Sequence, residues 1–381
     1  MTWELRTFAH QGFYPTWQNL TPYSSGLRIS MVIPGGVQTI SFRLADDYID
    51  AYRWAYDHIG SKIYVFDNLA SRPVAEGVIF EPTISESGNQ VVAQGPWGAY
   101  LFNQVYNNTA SWITAGQTGA QIEDMLTTEC PEISSDMVNV DEPGTNNFPW
   151  QPSDNSYPGD LIEYLASLSD VDNAQWYFWL QSRSTIQGQP QAPEAWFKPA
   201  NEVPGLFMCR RRDMRPGGLT LTPSLRQLAN DVRVMWLDAT GIQNQTGSAA
   251  DAASQTRFGL RERWDYDLGK APATAADQYR DLILAQTKDP QQSASFSLNT
   301  RLMDRWGGTW PLWRLIAEFP VKFSVMDLIP DNTLLSYILD NKRTFITLAA
   351  EYDYDSNTLR IVPDTEDNRA DAMLARYRGL Q

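Results

Sequence analysis

Apolar and polar residues alternate along much of the chain, a pattern typical of half-buried β-strands. The alternation runs from Leu27 to Ile33 and returns from Ile40 to Leu44, with Pro34-Gly35-Gly36 between them, and it predicts a β-hairpin. Further strands are predicted at 62–66, 74–84, 90–94, 231–237, 293–298, 319–328, 344–353 and 358–362.

Helical spacing interrupts the strands in four places. Asp46 can cap a short helix that runs to about His58, and Pro158 stands in the first turn of a helix that continues past Leu165. Helices are also predicted at 120–128 and 273–287.

Three further stretches have distinctive composition. Residues 141–159 are rich in Pro, Asn, Asp and Ser, which predicts an ordered loop or linker, and residues 241–256 predict a surface loop. The run Trp-Tyr-Phe-Trp at 176–179 lacks polar alternation, so it is either a strand buried on both faces or a contact strand.

These elements predict a β-rich α+β fold: two related small antiparallel β-barrel domains with a mixed helical middle region. At 381 residues the chain is too long for one core, which favours several domains. We expect an N-terminal β-barrel domain at 1–110 and a mixed helix/loop domain at 111–215. A C-terminal β-barrel domain follows at 216–381, with the surface loop at 241–256 and a helical insertion at 273–287.

An internal echo supports the relation between the two barrels. Lys62–Asp67 and Lys322–Asp327 share the order Lys, apolar, any residue, Val, apolar, Asp. Each segment is followed by a predicted β-hairpin. The echo therefore predicts two copies of one β-unit on either side of the middle region.

Composition and charge narrow the classes of function. The 14 Trp, 17 Tyr and 15 Phe fit the cores of β-domains, although interfaces and sugar-binding platforms use the same rings. The formal net charge of −15 disfavours lasting attachment to DNA. The exception is Arg210, Arg211 and Arg212 with Arg215 nearby, a run that could meet a phosphate but fits a solvated or intersubunit surface better. We expect Arg210, Arg211 and Arg212 to be an assembly contact.

Cysteine use and hydropathy indicate a soluble protein made in a cytoplasm. Cys130 and Cys209 are the only cysteines, so we expect reduced thiols and no zinc site. The first residues lack the basic-then-apolar order of a secretory signal, and no run of 18 apolar residues predicts a membrane-spanning segment.

Catalytic motifs are missing from the sequence. It holds no phosphate-binding loop, dinucleotide fingerprint, zinc-protease motif or nucleophile elbow. His10 lies near the amino terminus, and His58 at a helix end is explained by the helix dipole, so neither is a persuasive base. We expect no enzyme activity, no catalytic residues, no cofactor and no metal.

Paired carboxylates leave one enzymatic alternative open, a glycoside hydrolase of a cell-wall system. Asp46 with Asp47, or Glu351 with Asp353, would be the acid/base pair. The first pair is explained as a helix cap and the second as two residues on one face of a strand. A carbohydrate-binding module is the third possibility, favoured if several Trp rings are exposed in a row.

Two groups of motifs resemble a known family. Near the amino terminus they are the spaced residues Gly60, Ile63, Val65 and Asp67, then 74–79, then 93–97. Near the carboxyl terminus they are 328–330, 340–346 and the spaced residues Tyr352, Asp353, Asn357, Leu359, Ile361 and Pro363. Together these segments resemble the first and last domains of bacteriophage tail hub and minor tail proteins.

The resemblance implies a homotrimeric ring at the tail tip, with two related β-barrels per subunit, that joins the sixfold tail tube to the threefold distal tip. It implies a virion protein whose partners are the tail tube or distal tail protein, the tape measure protein and tip or fibre proteins. DNA would meet the chain only in transit through the ejection channel. The net charge of −15 fits this picture if acidic side chains line that channel and repel the phosphate backbone, and we then expect Arg210–Arg212 to lie away from it.

Overall fold

A computed structural model describes residues 3–8, 17–45, 54, 57–67, 72–85, 88–102, 118–135, 139–141, 157–167, 176–185, 190–200, 202–210, 213–225, 228–238, 240–265, 273–288, 291–304, 306–326 and 344–364. These residues form 22 strands and six α-helices. The structure is therefore β-rich, as the alternation predicts.

The first part of the chain is almost entirely strand. Its strands are β1 (Trp3–Phe8), β2 (Trp17–Asn19), β3 (Ser24–Val32), β4 (Gly35–Leu44), β5 (Lys62–Asp67), β6 (Ala75–Ile79), β7 (Thr83–Ser85) and β8 (Gly88–Gln94). The predicted hairpin is confirmed as β3 and β4, which pair antiparallel. The single strand predicted over 74–84 is two strands, β6 and β7. Most of the helix predicted after Asp46 lies outside the described residues, although Trp54 and Asp57 are helical.

The middle part combines helices with a hairpin. Its elements are α1 (Pro96–Tyr100), α2 (Thr118–Glu129), α3 (Pro158–Ser167), β9 (Trp176–Gln181) and β10 (Glu194–Pro199). The helices predicted at 120–128 and after Pro158 are confirmed. Residues 176–179 are buried on both faces of β9, because β9 packs against helices on one side and a second apolar cluster on the other. The predicted loop at 141–159 lies mostly outside the described residues.

The last part returns to strands, with a helical unit inserted. Its elements are β11 (Leu206–Arg210), β12 (Met214–Ser224), β13 (Asp231–Leu237), β14 (Gln243–Gln245), β15 (Ala249–Ala250), α4 (Ala252–Phe258), β16 (Glu262–Asp265), α5 (Ala273–Thr287), β17 (Gln291–Leu298), β18 (Leu302–Asp304), β19 (Thr309–Trp310), α6 (Trp313–Ala317), β20 (Lys322–Met326), β21 (Thr344–Asp353) and β22 (Thr358–Pro363). The predicted helix at 273–287 and the final hairpin are confirmed.

The prediction of a surface loop at 241–256 is wrong. This stretch forms β14 and β15, which pair with β13, and the first part of α4. The Asp251 side chain caps α4 by accepting a hydrogen bond from the Ser254 backbone N–H at 2.8 Å. Because these elements are short and mostly exposed, they carry no apolar periodicity that the sequence could show.

Pairing joins eighteen of the strands into one large mixed sheet. Most pairs are antiparallel, but β4 with β9 and β11 with β20 are parallel. No sheet among the described residues closes on itself, so the observed pairings do not form the two small antiparallel barrels predicted from sequence.

The two ends of the chain share one strand order. In the first part, β3, β4, β8, β6 and β5 follow one another as antiparallel neighbours. In the last part, β12, β17, β22, β21 and β20 do the same. The echo segments Lys62–Asp67 and Lys322–Asp327 begin on β5 and β20, which hold equivalent places. A helix stands between β17 and β20, as the helical residues Trp54 and Asp57 stand between β4 and β5.

The apolar clusters correspond only partly to the first, middle and last parts of the chain. One apolar cluster contains side chains from both ends of the chain, including Phe42, Phe296 and Tyr352. A second cluster fills the middle part, and a third, small one lies under α5 in the inserted unit. The two β-rich ends therefore share a single core.

Glycines allow the middle part to approach the first sheet. Gly36, at the start of β4, has φ +90°, and a Cβ there would lie 2.4 Å from the Leu180 carbonyl oxygen. Gly36 and Leu180 face each other in the parallel pairing of β4 with β9. A side chain at this position would force the two strands apart.

We expect Gly36→Ala to lower the free energy of unfolding by about 2–4 kcal/mol, since it combines left-handed backbone with a clash against backbone atoms. Gly241→Ala is the matched control, because Gly241 has a similar φ of +83° but no atom within 4 Å of the added Cβ. The control should cost about 1–2 kcal/mol. Equal losses in chemical denaturation would contradict the clash.

Glu76 is a buried acid between the first part and the middle part. It lies on β6, and its Oε2 has no hydrogen-bond partner among the described residues. Burial raises the pKa of this carboxyl to about 7, although Lys62 and a hydrogen bond with Ser182 oppose the shift. The folded protein therefore binds a proton at Glu76 more tightly than the unfolded chain does.

This raised pKa predicts that Glu76 destabilises the fold increasingly as pH rises from about 4.5 to about 7. Glu76→Gln should stabilise the protein at pH 8 by up to roughly 3 kcal/mol and by little at pH 4.5. Glu81→Gln, at an exposed position, is the control and should leave the pH dependence of stability unchanged. Denaturant titrations at both pH values would test this, and parallel pH profiles for Glu76→Gln and the parent would contradict it.

Candidate assembly surface

Eight strands of the large sheet lie side by side in an antiparallel ribbon. Their order is β7, β8, β4, β3, β21, β22, β17 and β12, and each neighbouring pair is hydrogen-bonded. Four strands come from each end of the chain. The ribbon is thus two equivalent four-stranded halves joined between β3 and β21.

The joint between the halves runs from Val32 opposite Ala349 to Arg28 opposite Asp353. Beyond its strand pairs, the Tyr354 backbone N–H donates to the Leu27 carbonyl oxygen at 3.0 Å. The Arg28 Nε donates to Asp353 Oδ2 at 3.1 Å. The joint therefore combines main-chain pairing with a charged side-chain contact.

Local sequence shapes the end of the joint. The register of β3 against β4 shifts between Ser25 and Arg28, and Gly26 in this bulge has φ +65°. The Gly26 N–H donates to Asp355 Oδ2 at 2.7 Å. The β21–β22 turn, which contains Asn357 at φ 47°, therefore lies against the bulge.

The two faces of the ribbon differ in polarity. Side chains on one face, such as Ile29, Phe42 and Ile361, lie in the shared core. The opposite face is mostly polar, although Val32, Val92, Ala349 and Val362 also lie on it. Its polar members at the centre of the ribbon are Arg28, Ser30, Thr39, Ser41, Arg43, Gln90, Ser297, Glu351, Asp353 and Arg360.

Two adjoining cavities of about 330 and 250 Å³ open on the polar face at the joint. The charged side chains that line them are Arg28, Arg43, Arg215, Arg360, Glu351, Asp353 and Asp355. Four arginines against three carboxylates make this surface close to neutral. Acidic side chains therefore do not predominate on this part of the face.

Both outer edges of the ribbon lack a strand partner. Within the residues that the structure describes, β7 pairs only with β8, and β12 pairs only with β17. Pro216 and Pro223 lie on β12, and proline is found mainly on edge strands or at bulges. An edge strand presents unpaired main-chain groups, so these two edges are candidate contacts with another chain.

Of the arginine run, Arg210 ends β11 and is half-buried. Its backbone N–H donates to Asp213 Oδ2 at 3.2 Å. Arg211 and Arg212 lie outside the described residues, so their role as an assembly contact stays a prediction.

The candidate acid pair Glu351 and Asp353 lies on one face of β21 beside the same cavity, as the strand period predicts. Each carboxylate faces an arginine. Arg28 contacts Asp353, and Arg360 Nη1 lies 3.8 Å from Glu351 Oε2. Asp353 Oδ1 also accepts the backbone N–H groups of Asp355 and Ser356. The pair therefore serves the joint and its turn.

Of the remaining candidate residues, the structure describes only His58. His10, Asp46 and Asp47 lie outside the described residues. His58 stacks on the Trp54 ring with centroids 4.3 Å apart, and its Nδ1 lies 2.7 Å from the Trp54 carbonyl oxygen.

The part of the chain that the structure describes contains no group of three or more His, Cys, Asp or Glu side chains that could hold a metal ion. None of the helices in the described ranges is long and apolar enough to cross a membrane. Cys130 and Cys209 are free thiols, and burial raises the pKa of each to about 12.

The fold is that of bacteriophage tail proteins. The chain is similar to the 43 kDa tail protein of prophage MuSo2 from Shewanella oneidensis, with TM-score 0.57 and 13% identity over 96% of this chain and 99% of that one. It is similar to prophage tail protein gp18 from Listeria monocytogenes EGD-e, with TM-score 0.56 and 10% identity over 99% and 98%. A tail protein from Neisseria meningitidis MC58 gives TM-score 0.55 and 10% identity over 96% and 97%.

No family model and no curated protein matches the sequence. The resemblance inferred from the sequence motifs is confirmed at the level of the fold.

Incubation of the protein with peptidoglycan or host polysaccharide is expected to release no reducing ends. A glycosidase needs two carboxyl groups free to reach the scissile bond, whereas Glu351 and Asp353 each face an arginine. Release of reducing ends that Glu351→Gln or Asp353→Asn abolishes would establish the hydrolase alternative. Thr358→Ala, which changes another residue beside the same cavity, is the control.

Proposed function

We propose that the protein is a structural subunit of a phage tail tip. It would act as a hub, or minor tail protein, that joins the sixfold tail tube to the threefold distal tip and forms part of the DNA ejection channel. The observation that carries this proposal is the eight-stranded ribbon, with one polar face and an open edge at each end. The fold shared with phage tail proteins supports it.

Ribbon width supports a ring of three copies. Strands in a sheet lie about 4.8 Å apart, so three ribbons give a circumference of about 115 Å and a backbone diameter of roughly 37 Å. Side chains that fill about 5 Å on each side leave a lumen of roughly 27 Å, and strand tilt widens it further. DNA can pass such a lumen at any tilt, whereas two ribbons leave only roughly 14 Å before tilt.

The internal repeat supports the symmetry match. Each chain contributes two halves with the same strand order, so three chains would present six similar surfaces to a sixfold tube. The partners we propose are the tail tube or distal tail protein on one side and tip or fibre proteins on the other, with the tape measure protein in the channel. The two halves would be the β-domains at 1–110 and 216–381, joined by 111–215.

The polar face would line the channel, because the opposite face is committed to the core. Its hydroxyl and amide groups dilute the charge, and the arginines around the two cavities outnumber the carboxylates by only one, so the face offers the phosphate backbone little excess of positive charge. DNA would therefore meet the chain only in transit. Under this proposal, the run Arg210–Arg212 contacts a neighbouring subunit away from the lumen.

Exposed aromatic rings are too sparse in the described residues to favour a carbohydrate-binding module. Trp306 and Trp310 are exposed at the β18–β19 hairpin, where Arg314 packs over the Trp310 ring. Trp264 is exposed in the inserted unit, where Arg233 covers it. These rings do not form the row that a sugar platform requires.

A reconstruction of the assembled tail is expected to show this chain with threefold symmetry around the channel, with the polar face of the ribbon inward. The mass of the purified protein at increasing concentration should approach three chains. A sixfold arrangement, or a ring with the polar face outward, would overturn the proposed hub.

A further inference from the structure

The internal repeat shows which covered strand edge in the second half of the ribbon corresponds to the open edge of β7. The joint pairs β3 with the second half of β21, while the first half of β21 pairs with β20. In the first repeat, β6 and β7 together hold the place of β21. Strand β6 pairs with β5, as the first half of β21 pairs with β20, and β7 has no strand on its outer side among the described residues. The edge of β7 is thus the counterpart of the edge that β3 covers.

Strand pairs fix which residue of β7 matches which residue of β21. Thr83 faces Gln90 on β8, and Glu351 faces Arg360 on β22. One strand further from the edge, Gln90 faces Arg43 on β4 in the first half of the ribbon, and Arg360 faces Ser297 on β17 in the second half.

The echo anchors the two repeats, because Lys62 faces Val78 on β6 and the matching Lys322 faces Ile346 on β21. Val78 faces Gln94, and the Ile346 carbonyl oxygen accepts the backbone N–H of Asp364, so Gln94 and Asp364 are equivalent. Four residues earlier, Gln90 and Arg360 are then equivalent, and so are their partners Thr83 and Glu351.

The same comparison aligns β12 with β3. Because Arg43 and Ser297 are equivalent, the residues four positions earlier, Thr39 and Ser293, are equivalent too. Thr39 faces Ser30 on β3, and Ser293 faces Thr222 on β12. Both pairings also contain a register shift at glycine, which supports the alignment.

Each of the two register shifts requires a glycine, although for a different reason. The shift in β3 holds Gly26, with its positive φ. The shift in β12 lies between Met214 and Leu219 and holds Gly218, where a Cβ would lie 2.6 Å from the Ser297 carbonyl oxygen. The bulge glycine in β3 therefore lies as many residues before Ser30 as the bulge glycine in β12 lies before Thr222, the residue equivalent to Ser30.

From these equivalences we propose that β7 of one copy pairs antiparallel with β12 of the next copy in the register of the internal joint. Ser30 faces Glu351 in that joint, so Thr222 of the next copy would face Thr83. Ile84 and Ser85 would then face Leu221 and Thr220 of the next copy. The proposal rests on the proposed ring and adds its contact strands and their register.

Sequence pattern agrees with this register. In the internal joint, the apolar pair Tyr352 and Ile29 is buried, and the polar pairs flank it on the other face. The proposed contact repeats this order, since Ile84 with Leu221 is the apolar pair between hydroxyl pairs. A slip by one residue would place each apolar residue opposite a threonine or serine.

The test is thiol cross-linking of purified full-length protein carrying Thr83→Cys and Thr222→Cys. Residues directly opposite in a sheet have Cβ atoms about 4.5–5.5 Å apart, within reach of a short bismaleimide. The native Cys130 and Cys209 are buried with pKa values raised to about 12, so they stay unreactive at neutral pH. Denaturing electrophoresis should show linked species that end at three chains.

Three controls test the register, the reach of the cross-linker and the folding of the variants. Thr83→Cys with Leu221→Cys is the slipped pair and should give several-fold less linked product. Ser30→Cys with Glu351→Cys should link within one chain and leave its mass on the gel at one chain. Each single variant should keep the parent's circular dichroism and melting temperature, which shows that the chain folds.

The outcomes separate this register from the proposed function. A three-chain particle in which the slipped pair links best, or no pair links, overturns the register and leaves the threefold hub standing. Linked species beyond three chains keep the register but overturn the threefold ring. A monomer at every concentration, with no linked product, overturns both.

Discussion

Pairing between β3 and β21 is the interaction on which the rest of the structure depends. It joins segments more than 300 residues apart and makes one ribbon of two four-stranded halves. The entropy of closing so long a loop grows only slowly with its length, so a run of strand pairs and a shared core can offset it. Phe42, Phe296 and Tyr352 lie in one cluster because this pairing brings both ends of the chain onto the same side of a sheet.

Much of the secondary structure can be predicted from the periodicity of apolar residues, but several strands cannot. Strands with several alternating positions, such as Leu27–Ile33, and helices such as 273–287 are found where the pattern predicts them. Strand β12 escaped prediction because it opens with Met-Arg-Pro-Gly-Gly, which has the composition of a turn and acts as a bulge. The short strands β14 and β15 escaped because they depend on pairing with β13 rather than on their own residues.

The candidate assembly surface, too, could be predicted from the sequence only in part. The placement of Glu351 and Asp353 on one face follows from the strand period, but their arginine partners Arg28 and Arg360 do not. Arg28 is distant in sequence and meets Asp353 only through the register of the joint, which no local pattern encodes. The echo at Lys62 and Lys322 was the one long-range signal in the sequence, and it marks strands of equivalent pairing. The structural relatives share this fold at only 10–13% identity, so the fold does not depend on most of the individual residues.

The long separation of β3 from β21 has a consequence for synthesis. A ribosome completes the first repeat, with β3 through β8, long before it reaches residue 344. During that interval β3 lacks its partner β21, and β7 has no outer partner among the described residues, so the register proposed for β7 and β12 would also fit β7 against β3 of a neighbouring nascent chain. Fidelity of assembly therefore depends on timing, because the late hairpin must reach β3 on its own chain before a premature neighbour on the polysome does.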